Sequence, residues 1–307
     1  MNYQELMWEL GTEVVEKDFV EAGGMNETLE AELLTQMTEW FTKGGGSLRF
    51  IKPNVSKENG FRLLASEDID AHETIISVPV KLTMCRVTAR NVLITGKGKY
   101  LGAELKSTFE KNEAWGLALF LLHEYFKETA GTGSKWGPYL RTLRVRFLTT
   151  PALRSLEGTT AAEVSRKWIK EADKLNYWST GHDGPCNPTT YVCRSKPLDK
   201  MGDNRFTMHQ IRWAYWVVRQ NAVRVKHVTT GHQYIINLLG CNSSMNAGNA
   251  FLALVPFYDM VEKRLNGGGG IAFDVDGSVT IRMGDPTIEG QAVAMHPGDL
   301  TDGEFFM

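Results

Sequence analysis

Histidine and cysteine are common metal ligands and nucleophiles in proteins, and this chain brings three of them close together in sequence, as His182, Cys186 and Cys193. Their intervals are not those of a zinc knuckle, and no second pair of ligands completes a set of four. The chain also has no G-x-S-x-G nucleophile elbow, and no Lys-Ser/Thr pair follows the glycine run Gly267–Gly270 as in a phosphate loop. We therefore predict no metal site, a loop around these cysteines and a flexible turn at the glycines.

A carboxylate at the end of an apolar run is the second chemical feature. The stretch FLALVPFYDMVEK, residues 251–263, begins as a buried strand would, and Asp259 lies at its edge. Two further charged residues, Glu262 and Lys263, follow it directly. The spacing alone does not say why a carboxylate should stand there, so the residues around it must supply the reason.

Hydrophobic spacing predicts the elements that position these residues. Helices are predicted over residues 1–43, 112–128, 159–178 and 206–225, and short strands over 61–85, 250–257, 269–277, 278–284 and 290–295. Residues 179–205 and 226–250 are predicted to be loops. Trp213, Tyr215 and Trp216 are predicted to lie in a core, and His123 to be a helix histidine with its polar groups satisfied. A helical block between two β-rich segments predicts an α+β fold whose sheet is completed by segments distant in sequence.

Composition limits the class of protein. The 307 residues are 42% hydrophobic and 23% charged with a net charge of −2, so we expect one large or two smaller domains and no nucleic-acid partner. The apolar stretches are too short to cross a bilayer, and the N-terminus resembles neither a signal nor a transit peptide. Four scattered cysteines do not make a disulfide framework. We expect an intracellular, monomeric protein, with no distinction between cytoplasm, nucleus and plastid.

Three stretches in order resemble one family. NGFRLLASEDIDAHETIISVPVKLTM is similar to the Gly-x-Gly-Leu turn, Asp-Ile pair and Val-Pro strand end that open the SET domain of Rubisco-methyltransferase-like enzymes. LALFLLHEYFKETAGTGSKWGPYLRTLRVRFLTTP resembles the first part of their helical insert. FTMHQIRWAYWVVRQN and LALVPFYDM resemble their Arg-x-Asn helix and Pro-x-x-Asp-Met strand end. The chain is thus identified as a relative of this class, which includes the actin histidine methyltransferase.

The resemblance implies a SET fold, with small twisted sheets, a knot-like threading and a large helical insert. It divides the chain into an N-terminal helical segment (1–45), a first β part (46–95), the insert (96–205) and an incomplete C-terminal part (206–307). The implied cofactor is S-adenosylmethionine. The implied cofactor-binding residues are Gly60, Phe61, Arg62, Leu63, Arg219, Asp259, Glu262 and Lys263. In this class the arginine matched by Arg219 pairs with the cofactor carboxylate, and Asn221 matches a residue of the acceptor pocket.

The resemblance also implies a reaction. It predicts a protein-lysine N-methyltransferase with a protein substrate, and histidine is the alternative acceptor. A non-catalytic binding module that keeps the fold is a further alternative. Because the cofactor's methyl group is already activated, alignment of an uncharged amine and exclusion of water would provide much of the reduction in the activation barrier. Few catalytic side chains are then needed.

The chain departs from the family pattern in three places. Glu262 and Lys263 stand where the family has Asn-His, and a carboxylate cannot donate as an amide does. Arg62 replaces the second glycine of Gly-x-Gly, so we expect backbone strain or a displaced loop if that position needs a glycine conformation. The tyrosine that closes the acceptor pocket is expected beyond Met307, with a C-terminal helical domain, so the chain is expected to be a fragment or a degenerate relative with little methyl transfer.

Overall fold

The structure is a computed structural model, and it describes residues 27–56, 60–86, 88–89, 112–129, 131–149, 208–227, 250–264, 268–274 and 277–295. They fall into two units. The β unit comprises Glu27–Thr88 and Ala222–Phe305, and the helical unit contains Ala89–Asn221. The predicted helix at 159–178 and the loop that carries His182, Cys186 and Cys193 lie outside the described residues.

The β unit begins with helix α1 (Glu27–Lys43). Leu34, Met37 and Phe41 recur at helical spacing and are buried, so one stripe of the helix faces the core. The helix ends at Lys43, and Gly45 in the turn that follows has a φ of +88°, a conformation that glycine adopts without steric cost. The described part of the predicted N-terminal helix is therefore confirmed.

The main sheet of the β unit joins segments from both sides of the helical block. Among the described residues it has seven strands, in the order β1-β4-β10-β9-β6-β7-β5. The strands are β1 (Ser47–Leu48), β4 (Thr74–Pro79), β10 (Ser278–Met283), β9 (Gly269–Phe273), β6 (Val223–His227), β7 (Ala250–Leu254) and β5 (Met84–Cys85). Strand β10 pairs antiparallel with β4, and β5 pairs antiparallel with β7. The prediction of an α+β fold completed by distant segments is confirmed.

Two smaller sheets complete the described β unit. Strands β2 (Ile51–Ser56) and β3 (Gly60–Ala65) form an antiparallel pair, in which Asn54 lies opposite Arg62. Strands β8 (Glu262–Lys263) and β11 (Ala294–Met295) form a parallel pair. The strands predicted in the segments of β3 and β11 are confirmed, whereas β2 and β8 were not predicted.

The helical unit has its own aromatic core. Its described helices are α2 (Glu113–Thr129), α3 (Gly137–Thr149) and α4 (Met208–Asn221). The Asn112 side chain accepts a hydrogen bond from the Trp115 backbone N–H at 3.0 Å, which caps the start of α2. Helix α4 packs on α2, with the Trp115 and Tyr215 rings edge to face at 5.9 Å. Trp213, Tyr215 and Trp216 are buried, as predicted.

A polar cluster ties the loop after α2 back to that helix. The buried Glu124 carboxylate accepts hydrogen bonds from the Ser134 hydroxyl at 2.6 Å and from the Lys127 ammonium at 3.2 Å. His123 Nε2 lies 3.7 Å from the same carboxylate. Burial lowers the pKa of His123, and the neighbouring Glu124 charge partly opposes this. His123 lies on α2, as predicted, and its nearest charged neighbour is a carboxylate at a distance longer than a hydrogen bond.

The predicted end of one helix is wrong. The helix predicted to reach residue 225 ends at Asn221, because Val223–His227 pairs with β7 and β9 instead. The strand predicted from residue 269 is confirmed, since Gly269 begins β9, so the predicted glycine turn does not extend beyond Gly268. Gly269 packs so closely on Gly284 that a Cβ on either residue would clash with backbone atoms of the other segment. No helix in the described part of the chain is long and apolar enough to cross a membrane.

Candidate functional site

The first candidate segment is the start of β3. Gly60 is buried and has a φ of +63°, and a Cβ placed on it would meet no atom within 4 Å. Phe61 and Leu63 are buried and fix the strand, whereas Arg62 is half-buried. Because its φ is positive, Gly60 is the position in this strand that needs a glycine.

Arg62 occupies an ordinary strand position. It is not among the described non-glycine residues with positive φ, and it pairs in regular register with Asn54. The strain expected at this position is therefore wrong, because antiparallel pairing holds Arg62 in the extended region that any residue adopts. Its Nε atom is buried and makes no hydrogen bond within the part of the chain that the structure describes.

The second candidate segment is a 3-10 turn at Tyr258–Met260, which follows β7 and contacts β3. It contains the buried Asp259, so this carboxylate belongs to a helical turn five residues beyond the strand's last residue, Leu254. Phe257 precedes the turn with a φ of +69°, an unusual conformation for a bulky residue. Its ring is buried and packs edge to face on Phe41 at 4.9 Å, which offsets the strain.

Glu262 and Lys263 form β8, directly after this turn. The Glu262 carboxylate accepts two hydrogen bonds from the Arg264 guanidinium, at 2.8 and 3.1 Å, and it raises the pKa of Arg264. Lys263 Nζ lies 6.0 Å from the centroid of the Tyr258 ring, a cation–π distance. Burial raises the pKa of Tyr258 to about 12. Both side chains thus have partners inside the β unit.

Residues 291–295 bring the two segments together. The Val293 N–H donates to the Leu63 carbonyl at 2.9 Å, and the Val293 carbonyl accepts from the Glu262 N–H at 2.9 Å. The Arg264 N–H donates to the Met295 carbonyl at 3.0 Å. The start of β3, the turn with Asp259 and strand β8 therefore adjoin within the β unit. This is the site that the structure builds.

Arg219 and Asn221 lie in the last turn of α4, in the helical unit. Asn221 Nδ2 donates to the Val217 carbonyl at 3.0 Å, which ties its carboxamide to its own helix. Both side chains are half-buried. A cation in the last turn is favoured by the negative end of the helix dipole.

The described donors of the site are backbone groups and one guanidinium. The β unit has a buried glycine backbone at Gly60, with space for a Cβ beside it, and a half-buried guanidinium at Arg62. No group of three or more His, Cys, Asp or Glu residues that could hold a metal ion occurs in the described ranges. A guanidinium of this kind can pair with a carboxylate through two hydrogen bonds.

Sequence reasoning missed two features of this site. The stretch GQAVAM was predicted to be a strand, but nothing in it indicates that Val293 would join β3 to β8. The left-handed conformation of Phe257 was also missed, because phenylalanine gives no local signal for it. Both features depend on residues far away in sequence.

The chain is similar to known methyltransferases in sequence. No protein-family model matches it. The actin-histidine N-methyltransferase of Rattus norvegicus is 29% identical over 267 residues, covering 82% of this chain and 39% of the relative. The Homo sapiens protein of the same name is 28% identical over 258 residues, covering 80% of this chain and 37% of the relative. The chain thus spans less than half the length of the curated relatives that it matches.

Solved structures show the fold. The SET domain of LSMT bound to methyllysine and AdoHcy superposes with a TM-score of 0.56 at 17% identity, covering 87% of this chain and 53% of that chain. Rubisco LSMT bound to sinefungin and monomethyllysine gives a TM-score of 0.53 at 16% identity, covering 86% of this chain and 52% of that chain. The chain therefore has the SET fold, and its resemblance to SET-domain protein methyltransferases of the Rubisco large-subunit methyltransferase-like class is confirmed.

Proposed function

We propose that the chain is an S-adenosylmethionine-dependent protein methyltransferase that acts on lysine. The observation that carries this proposal is the joining of β3, the Asp259 turn and β8 by residues 291–295 in a SET fold. The sequence similarity to protein methyltransferases over 82% of the chain supports it. The solved relatives bound to AdoHcy or sinefungin support the same cofactor.

The chain's own residues would bind and orient the cofactor. Gly60 offers backbone without a side chain, and Phe61 and Leu63 hold that backbone in place through their buried side chains. Arg219 would pair with the cofactor carboxylate, and Asn221 would line the acceptor pocket. Asp259, Glu262 and Lys263 would hold the turn and strand beside β3. When bound, the cofactor supplies an activated methyl group, so the protein would accelerate the reaction mainly by positioning the acceptor and excluding water.

A lysine acceptor must lose its proton before it can accept a methyl group, because the ammonium has no free lone pair. Its unperturbed pKa is about 10.4, and an apolar channel lowers this value by disfavouring the charged form. Lysine is favoured by the solved relatives bound to lysine or its methylated forms. Histidine is the second candidate, because the curated relatives are named actin-histidine N-methyltransferases.

Calorimetry with S-adenosylmethionine tests the cofactor. We expect saturable binding by the wild-type chain and loss of binding in Arg219→Ala, because a charge-assisted pair with a carboxylate is removed. The matched control is Arg224→Ala, which removes an exposed arginine five residues further along the chain. A folded wild-type chain that binds no S-adenosylmethionine would overturn the proposal.

The acceptor is identified by transferring a tritiated methyl group. The chain is incubated with labelled S-adenosylmethionine and either actin or a total protein extract, and the products are hydrolysed in acid and separated. We expect weak transfer by this chain, with the label in methyl-lysine. Label in methylhistidine would establish the second candidate instead, and label in neither amino acid would contradict both.

A further inference from the structure

A groove lies between α1 and β2, within the β unit. It has a volume of about 440 Å³ and is lined by one face of α1, between residues 31 and 39, and by residues 53–55 of β2. The hydroxyls of Thr35 and Thr38 donate to carbonyls one turn earlier in α1, both at 2.8 Å. These hydroxyls are used within the helix, so an occupant of the groove would find its backbone partners on β2 instead.

The outer edge of β2 has no strand partner in the described part of the chain, where β2 pairs only with β3. The Phe50 carbonyl, directly before β2, accepts a hydrogen bond from the Ser66 N–H at 2.8 Å, so alternate residues from Phe50 onward face β3. Pro53 and Val55 face the other way, and no backbone hydrogen bond joins them to another described segment. A proline suits such a position, because it has no N–H to donate.

An open strand edge beside a groove is a place where an extended peptide can add as a further strand. The outward backbone groups of Pro53 and Val55 provide one donor and two acceptors for such a peptide. A proline on the edge disfavours pairing with another long strand. The edge therefore suits a short extended segment, whereas a helix lying in the groove would leave these backbone groups unpaired.

Glu39 gives the groove its charge. It is the one charged residue among the described residues that line the groove, and its side chain is 62% exposed. Its ion pair with Lys43, at 3.4 Å, joins two exposed side chains, so another cation can replace Lys43 at little cost. We propose that the groove binds a short extended segment of a partner protein, which adds to β2 as a strand and places a lysine or arginine beside Glu39.

Two acetylated and amidated peptides, Val-Lys-Val-Lys-Val and Val-Glu-Val-Glu-Val, test the proposal in nuclear magnetic resonance titrations of the isotope-labelled chain. We expect the lysine peptide to shift the Val55 amide resonance saturably. It should bind about threefold or more tighter than the glutamate peptide, because only its charge complements Glu39. A lysine peptide with N-methylated backbone amides should bind about tenfold more weakly, because it cannot donate to the strand edge. Unchanged affinity after N-methylation would overturn the addition of a strand, and with it the proposal.

Glu39→Gln tests the charge of the groove, and it should weaken binding of the lysine peptide about threefold. The matched control is Glu32→Gln, which removes an exposed carboxylate two turns earlier in α1, outside the groove lining, and should leave the affinity unchanged. Because both carboxylates are exposed, both variants should melt near the wild-type temperature. Equal affinity of the wild type for the two peptides would overturn the inference. Equal effects of the two substitutions, or no shift of the Val55 resonance at millimolar peptide concentrations, would overturn it as well.

Discussion

At the scale of single residues, the site depends on strain and burial around the turn that carries Asp259. Phe257 holds a left-handed backbone conformation that costs free energy, and its buried contact with Phe41 offsets that cost. Tyr258 keeps its phenol neutral because burial disfavours the tyrosinate. Lys263 lies over the same ring. Glu262 and Lys263, which differ from the family pattern, therefore both have partners nearby. Lys263 lies near the Tyr258 ring, and Glu262 pairs with Arg264.

The effect of burying the Tyr258 phenol can be tested by comparing the stability of wild type and Tyr258→Phe at alkaline pH. The folded-state pKa of about 12 lies above the unfolded value of 10.0, so the unfolded chain ionises first as pH rises. The free energy of unfolding is thus fully retained below about pH 10 and falls above it, by roughly 1 kcal/mol at pH 11. Urea denaturation of both proteins at several pH values should show this loss in the wild type and not in Tyr258→Phe. The free energies of unfolding at pH 8 serve as the baseline for each protein. If they fall equally in both proteins above pH 10, the prediction is contradicted.

At the scale of elements, a buried carboxylate fixes the loop between α2 and α3. Glu124 is fully buried, and the Ser134 hydroxyl and Lys127 ammonium satisfy its oxygens. A second link joins Glu128 to the Ser134 backbone N–H at 2.9 Å. His123 shares this environment and resists protonation because it is largely buried. The end of α2 is therefore held by charge pairing as well as by its aromatic core.

The effect of burying His123 can be tested by comparing the stability of wild type and His123→Gln at acid pH. The folded-state pKa of His123 lies below the ordinary value of 6.5, so the unfolded chain takes up the proton first as pH falls. The contribution to stability is complete above pH 6.5 and is lost as pH falls through the folded-state pKa. Urea denaturation followed by a probe in the helical unit should show a weaker pH dependence in His123→Gln than in wild type.

The control for this prediction is His72→Asn, which removes an exposed histidine from a turn of the β unit. Asparagine tolerates the positive φ of 71° at that position. This variant should keep the wild-type pH dependence in the helical unit. If His123→Gln and His72→Asn lose stability equally between pH 7 and pH 5, burial of His123 does not govern the acid response.

The sequence predicted elements well where the signal is local. The periodic apolar stripe of α2 and the alternation in β10 are properties of short windows, so both elements could be recognised without tertiary contacts. The boundary between α4 and β6 could not, because Val223 and Val225 continue an apolar pattern and only pairing with β7 and β9 makes them a strand. For the site, Gly60 and Asp259 were predicted from motifs. The link made by Val293 could not be predicted in this way, because its hydrogen bonds join it to Leu63, more than 200 positions away, and to Glu262, about 30 positions away.

At the scale of the whole molecule, the β unit depends on pairing between the two ends of the described chain. Strand β10 lies between β4 and β9, so it connects β1 and β4 to the rest of the main sheet. Ile281 lies opposite Ile76 in this pair, about 200 residues apart in sequence, and both side chains are fully buried. Closing such a long loop costs entropy, which the buried contacts of the pair must offset.

Ile281→Ala tests whether this pairing holds the β unit as one cooperative sheet. The substitution removes buried methyl groups and leaves a cavity, which should lower the free energy of unfolding by about 2 to 5 kcal/mol. Since β10 links β4 to β9, hydrogen exchange should accelerate in the amides of β4 as well as in those of β10. Arg282→Ala, the next residue on the same strand, has an exposed side chain and should change stability by less than about 1 kcal/mol. Faster exchange confined to β10 would show that β4 keeps its structure without this pair, and the sheet would then not be a single cooperative element.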